Sequence, residues 1–149
     1  MATARAIRAD ELDELLELYR QLNPDDPALS PEELREQWTA MLTDDTQTTV
    51  VVEHGGRLVA TCLLSVTRNL TRAGRPFAVI ENVVTHEDYR GEGFGTQCIE
   101  RAVKMAEARD CYKVMLLTGT DQEWKLDFYE DCGFDREAKT GFQLDLRSE

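Results

Sequence analysis

Arg90-Gly91-Glu92-Gly93-Phe94-Gly95 puts glycine at three alternate positions where an apolar run gives way to a helical pattern. Holding a phosphate takes consecutive backbone N–H groups turned towards one point, with no side chain in the way. Glycine supplies both the dihedral freedom and the close approach. A following helix adds the positive end of its dipole. Arg90 can contribute a charge and Thr96 a hydroxyl on the first helical turn. A dinucleotide fingerprint would need a further glycine at position 96, where threonine stands, and the Gly-Lys-Ser/Thr of a nucleotide P-loop is missing. The segment therefore reads as a handle for a pyrophosphate, against the plainer reading of an ordinary strand-to-helix turn.

Other chemistry-bearing residues are sparse. Glu81 lies on a largely apolar strand, where an unpaired buried carboxylate is costly. Its plainer reading is a carboxylate at the sheet surface, paired with an arginine of the preceding loop. That loop carries Arg68, Arg72 and Arg75, which suit an anionic ligand or simply a solvated surface. Cys62, Cys98, Cys111 and Cys132 are scattered, and with His54 and His86 they lack the clustering a metal site requires. Cys62 and Cys98 fall in apolar stretches and read as small core residues.

Composition narrows the field. The 149 residues suit one domain, 42% apolar and 31% charged. A net charge of -12 argues against nucleic-acid binding, which wants a basic face. No run approaches the roughly 20 apolar residues of a membrane helix. The first residues lack a signal pattern, so a cytoplasmic protein is expected. Four lysines and thirteen arginines stand against 29 acids, a balance that suits a salt-rich cytoplasm and a halophilic source.

The elements that must position these residues follow from periodicity. Residues 3–8 alternate as a first strand. Leu12, Leu15, Leu16 and Leu22 mark an amphipathic helix, ended by the Asn23-Pro24-Asp25-Asp26-Pro27 breakers. Ser30-Pro31-Glu32-Glu33 starts a second helix through Trp38 and Leu42. Strands are expected over 48–52 and 58–66, joined by a His54-Gly55-Gly56-Arg57 turn, and over 77–85. A helix over 93–109, a buried strand over 112–117, a short helix over 126–130 and a last strand over 142–146 complete the chain. The order β-α-α-β-β-β-α-β-α-β predicts a single α/β (α+β) domain over 1–149. Its mixed sheet would have about six or seven strands and be flanked by about four helices; the alternation of a doubly wound fold is absent.

Tyr89-Arg90-Gly91-Glu92-Gly93-Phe94-Gly95 resembles the Arg/Gln-x-x-Gly-x-Gly/Ala signature of the GNAT superfamily of N-acetyltransferases. Phe128-Tyr129-Glu130-Asp131-Cys132-Gly133-Phe134 is similar to its F-Y-E-K-x-G-F segment, in the right order and spacing. Ile80-Glu81-Asn82-Val83-Val84 and Cys111-Tyr112-Lys113-Val114 resemble, more narrowly, glucosamine-6-phosphate N-acetyltransferases, although Asn82 replaces an acid there. The resemblance implies acetyl-coenzyme A as acetyl donor and a primary amine of a small molecule as acceptor. Transfer would be direct, through a tetrahedral intermediate. It implies a split between the strands at 77–85 and 112–117, where Val83, Val84 and Thr85 would pair with the pantetheine arm. Arg90, Gly91, Glu92, Gly93, Phe94, Gly95 and Thr96 would hold the pyrophosphate. Tyr129 matches the general acid that meets the coenzyme sulphur, though an ordinary half-buried aromatic is its plainer reading. Glu81 is the candidate base, directly or through a water. The superfamily often has Asn six residues and Ala three residues before the Phe; here Gln122 and Lys125 stand there, and Gln122 can still offer an amide. Trp124 either walls the cleft or simply packs. A homodimer is also implied. The rival is a catalytically idle acyl-coenzyme A-binding module of the same fold.

Overall fold

The computed structural model describes residues 1–119 and 121–147, in two compact units, 1–116 and 117–149. The first unit is a five-stranded sheet in the order β1 (Ala2–Ala6), β2 (Gln47–His54), β3 (Arg57–Thr67), β4 (Phe77–Thr85), β5 (Val114–Leu116). β1 to β4 form an antiparallel meander, and β5 joins β4 in parallel over three residue pairs. The helices of this unit are α1 (Leu12–Leu22), α2 (Pro31–Thr43), the single turn α3 (Thr71–Gly74) and α4 (Phe94–Ala108). α4 is the crossover that a parallel β4–β5 pair requires.

Local chemistry explains the boundaries. Ser30 Oγ accepts from the Glu33 N–H at 3.1 Å while Glu33 returns to the Ser30 N–H at 3.2 Å, a reciprocal cap with Pro31 in the first helical position. At the β2–β3 hairpin, Gly55 and Gly56 have φ of 59° and 76°, the left-handed pair that a two-residue hairpin with right-handed twist needs. Arg5 ties β1 to the turn before α1 and to β2 through Glu11 and Glu53, and its guanidinium holds the Glu11 carboxyl below the usual range.

Both faces of the sheet are covered, which is why Val50, Val51 and Val52 are consecutively and fully buried. Val51 packs with Leu18 of α1. Val50 and its cross-strand partner Cys62 face α4, where Cys98 Sγ lies 3.6 Å from Cys62 Sγ. Both cysteines are core residues and free thiols.

The second unit holds α5 (Glu123–Asp131) and the chain after it. Arg136 pins the following turn back onto the helix through Glu123, Asp127 and Glu130 at 2.7–2.9 Å. Here the expected last strand fails. Residues 142–146 form no strand, and Phe142, Leu144 and Leu146 are exposed. Alternation makes a strand only where a neighbouring edge takes its backbone groups, and no strand of this unit does so. The sheet therefore has five strands among the described residues, not six or seven. β5 is also shorter and less buried than expected, three half-buried residues in place of a buried 112–117. No helix among the described residues is long and apolar enough to cross a membrane.

Leu18, 1% exposed at the centre of the α1 face, tests this packing. Leu18→Ala is expected to lower unfolding stability by about 3 kcal/mol, read from the urea midpoint at unchanged slope.

Candidate functional site

β4 is interrupted at its middle. Glu81 pairs with Leu63 and Val84 with Thr61, so Asn82 and Val83 together face the single residue Cys62. This is a bulge, and Asn82 takes the left-handed φ of 52° that it demands. Asparagine is among the few side chains that tolerate it. The extra residue resets the alternation, so Glu81 and Val84 end on the same face, towards α1. Strict alternation around Glu81 therefore does not hold. Ile80 points to the other face and is buried, whereas Glu81 and Asn82 are both exposed.

The bulge coincides with the point where β5 leaves. β4–β5 pairing stops at Ile80–Leu116. Within the first unit, Glu81 to Thr85 then have no strand on that edge, and backbone groups left without a strand there can pair with a ligand. Val83 and Thr85 are half-buried and Val84 buried. Glu81 has no ion pair among the described residues, so the pairing with a loop arginine is not made.

The arginine loop lies instead at the start of β4, about 26 Å of strand away from Thr85. Arg75 donates to the Asp110 and Cys111 carbonyls, both at 3.2 Å, and pairs with the Asp110 carboxylate. Arg72 lies 5.6 Å over the Tyr112 ring, where Lys113 also stands at 5.3 Å. Lys113 and then Arg72 hold the Tyr112 phenol below its ordinary value. Arg68 is exposed.

Past Thr85 the chain makes a tight turn, 87–89, before the glycine loop. The Asp88 N–H meets His86 Nδ1 at 3.1 Å, and Gln21 of α1 accepts from the Glu87 N–H at 2.8 Å. Gly91 and Gly93 have φ of 80° and 86°, with no atom within 4 Å of where a Cβ would stand. Arg90 Nε donates to the Thr85 carbonyl at 3.3 Å, and among the described residues its outer nitrogens have no ion partner and could meet an anion. α4 begins after Gly93 with no side-chain cap and no acid in its first turn. A helix start without a side-chain cap leaves its first N–H groups to another acceptor, which favours an anion. Gly91, Glu92 and Gly93 are exposed, Thr96 is half-buried, and Gly95 is buried. Phe94 turns inward, its ring 4.8 Å from His54, so its contribution to a ligand is its N–H alone. These features fit a pyrophosphate.

In the second unit, Tyr129 lies on α5, half-buried, edge-on to Phe128 at 5.0 Å and to Phe134 at 6.4 Å. The helix ends at Gly133, φ 100°, and the Phe134 N–H donates back to the Tyr129 carbonyl at 3.1 Å. Gln122 is the exposed N-cap residue of α5 and makes no side-chain cap bond. Trp124 is 62% exposed, so packing does not explain it.

The model of the Acetyltransferase (GNAT) family matches residues 12–134. The chain belongs to that family. A putative acetyltransferase from Agrobacterium tumefaciens shares its structure with a TM-score of 0.91 and 46% identity, over 96% of this chain and 99% of that one. A glucosamine 6-phosphate N-acetyltransferase of Trypanosoma brucei brucei is 37% identical over 91 residues, 61% of this chain. The match spans 59% of that relative's length. Glucosamine 6-phosphate N-acetyltransferase 1 of Oryza sativa is 32% identical over 127 residues, covering 80% of this chain and 72% of the relative.

Against this GNAT frame, the first unit gathers Glu81, Val83–Thr85 and the 90–96 loop along the C-terminal half of β4. Three residues escape motif reading. Tyr19 of α1 has a buried hydroxyl with no hydrogen-bond partner among the described residues; burial pushes its phenol up to about 12, and the nearby Asn82 amide opposes that without completing a bond. Arg57 and His86 flank the glycine loop. The sequence signal for these was only a polar residue beside a turn.

Gly93 supplies the test. Gly93→Val forces a β-branched residue to positive φ and should cost about 1–2 kcal/mol locally while weakening coenzyme A binding in calorimetry. Gly93→Asn should retain much of the affinity, because asparagine accepts that conformation.

Proposed function

We propose that this chain transfers an acetyl group from acetyl-coenzyme A directly to a primary amine of a small molecule. The observation that carries the reading is β4 itself. Its bulge at Asn82 and unpaired edge beyond Ile80 run straight into an anion-ready loop and an uncapped helix. The family match runs across both units, which supports reading residues 1–149 as one acetyltransferase domain. A cytoplasmic location and a homodimer belong to the same reading.

Acetyl-coenzyme A is the donor substrate, bound by backbone more than by side chains. Arg90 and the N–H groups of 91–96 take the pyrophosphate. Val83, Val84 and Thr85 offer the open strand edge to the pantetheine arm, and Gln122 offers an amide. A strand N–H directed at the thioester carbonyl stabilises the charge that develops there, worth about 3 kcal/mol for one well-placed donor.

Two protons must move. The attacking neutral amine loses one as the carbon–nitrogen bond forms, and Glu81 takes it, directly or through a water. Its exposure and lack of an ion partner leave its oxygens available. The departing thiolate gains the other, and Tyr129 is the proposed donor on the strength of its Phe-Tyr-Glu segment. The names of the Trypanosoma and Oryza relatives make a phosphorylated amino sugar the first acceptor to try. Asn82 differs from the acid expected in those enzymes.

Release of free thiol from acetyl-coenzyme A across a panel of amines, glucosamine 6-phosphate included, tests the proposal. Turnover on at least one amine is expected. Tight coenzyme A binding with no turnover on any would favour the idle module. Tyr129→Phe should lower kcat about 10²-fold with the coenzyme A dissociation constant unchanged. Glu81→Gln should lower kcat/KM by a similar factor, about 10²-fold, and remove the acid limb of its pH profile, since a base must be unprotonated to act.

A further inference from the structure

The glycines that open the 90–96 loop also leave it without internal stiffness, so something outside the loop must hold its shape. The neighbour in place to do so is the β2–β3 hairpin. Arg57, the first residue of β3, is half-buried and has no carboxylate partner among the described residues. One guanidinium nitrogen lies 3.0 Å from His86 Nε2. The guanidinium carbon stands 5.8 Å over the Tyr89 ring. His86 and Tyr89 are the two ends of the turn that delivers the chain into the loop. His86 is 5% exposed, and its other ring nitrogen meets the Asp88 N–H at 3.1 Å. Arginine only donates and a neutral imidazole has one lone pair, so Arg57 hydrogen-bonds His86 in the tautomer with that lone pair on Nε2, and the Asp88 N–H contact at Nδ1 is a full hydrogen bond only in the other. Tyr89 is further boxed by His54 at 6.2 Å and Phe94 at 6.2 Å. A charged side chain left without a carboxylate, in a fold with 29 acids to offer, is spent on these two contacts.

We propose that Arg57 is a positioning residue for the donor-binding loop, acting through His86 and the Tyr89 ring. The hairpin thereby sets the loop's affinity for the pyrophosphate of coenzyme A without touching it. The inference rests on the coenzyme A reading of the loop. Arg57 supplies pre-organisation, so its loss should appear in binding and not in the chemical step.

Calorimetric titration of the full chain with coenzyme A tests this, alongside steady-state kinetics with acetyl-coenzyme A and with acetyl-pantetheine, which lacks the phosphates. Arg57→Ala should raise the coenzyme A dissociation constant about tenfold, the scale of one lost charge-assisted hydrogen bond. At saturating donor kcat should stay within about twofold, and KM for acetyl-pantetheine should not change. Arg57→Lys keeps the charge and the fold but loses the planar fork, and should weaken binding nearly as much. His86→Asn keeps an acceptor for the Asp88 N–H but drops the link to Arg57, and should also weaken binding. The double variant Arg57→Ala/His86→Asn should be no weaker than the weaker single one. The proposal is overturned if Arg57→Ala lowers the melting temperature yet binds normally, or if the two effects multiply. It is overturned equally if His86→Asn binds like wild type while Arg57→Ala does not, since Arg57 would then meet the phosphates itself. A wild-type chain that fails to bind coenzyme A would instead remove the functional reading beneath it.

Discussion

One backbone residue organises the rest of the site: Asn82, held at φ 52° in the middle of β4. An antiparallel strand that kept its register past Glu81 would bury alternate side chains on alternate faces without a break. The inserted residue instead puts Glu81 and Val84 on the same face and bends the strand where β5 departs. A left-handed non-glycine residue costs of order 1–3 kcal/mol and persists only where its surroundings over-determine it. Here the surroundings are β3 on one side and the buried Tyr19 on α1. The bulge falls where β5 leaves the strand edge.

The second half of the site depends on what is missing. α4 starts without a side-chain cap, without an acid in its first turn and without side chains above Gly91 and Gly93. In a chain of net charge -12, such a spot is locally electropositive through oriented N–H groups and Arg90. Distant carboxylates are screened over about 10 Å at ordinary ionic strength, so the local field decides what binds. The Phe94 ring turns inward against His54, and Arg57 meets His86 beside this open end.

Much of this was legible from residue types. The glycine spacing marked the loop, the Ser30 cap marked α2, and β-branched runs marked β2 to β4, because each rests on local backbone chemistry. The bulge was not read, since it depends on the pairing of β4 with β3; an asparagine inside an apolar strand was its one local sign. Phe142, Leu144 and Leu146 misled for the opposite reason: alternation describes a surface that suits a strand, not a partner that completes one. Glu81 was read either as a carboxylate that burial would make costly or as a surface carboxylate paired with a loop arginine; it is exposed, and among the described residues that pair is not made. The arginines around position 72 looked close to the chemistry in sequence, yet strand length carries them to the other end of β4.

We propose that β4 beyond its bulge and the glycine loop form one continuous backbone surface for the acetyl donor. Amide hydrogen exchange with and without coenzyme A tests this most directly. Protection should rise together across Val83–Thr85 and Gly91–Thr96, with little change along β1 and β2. Protection confined to another region, or confined to the loop while β4 exchanges as before, would contradict the account.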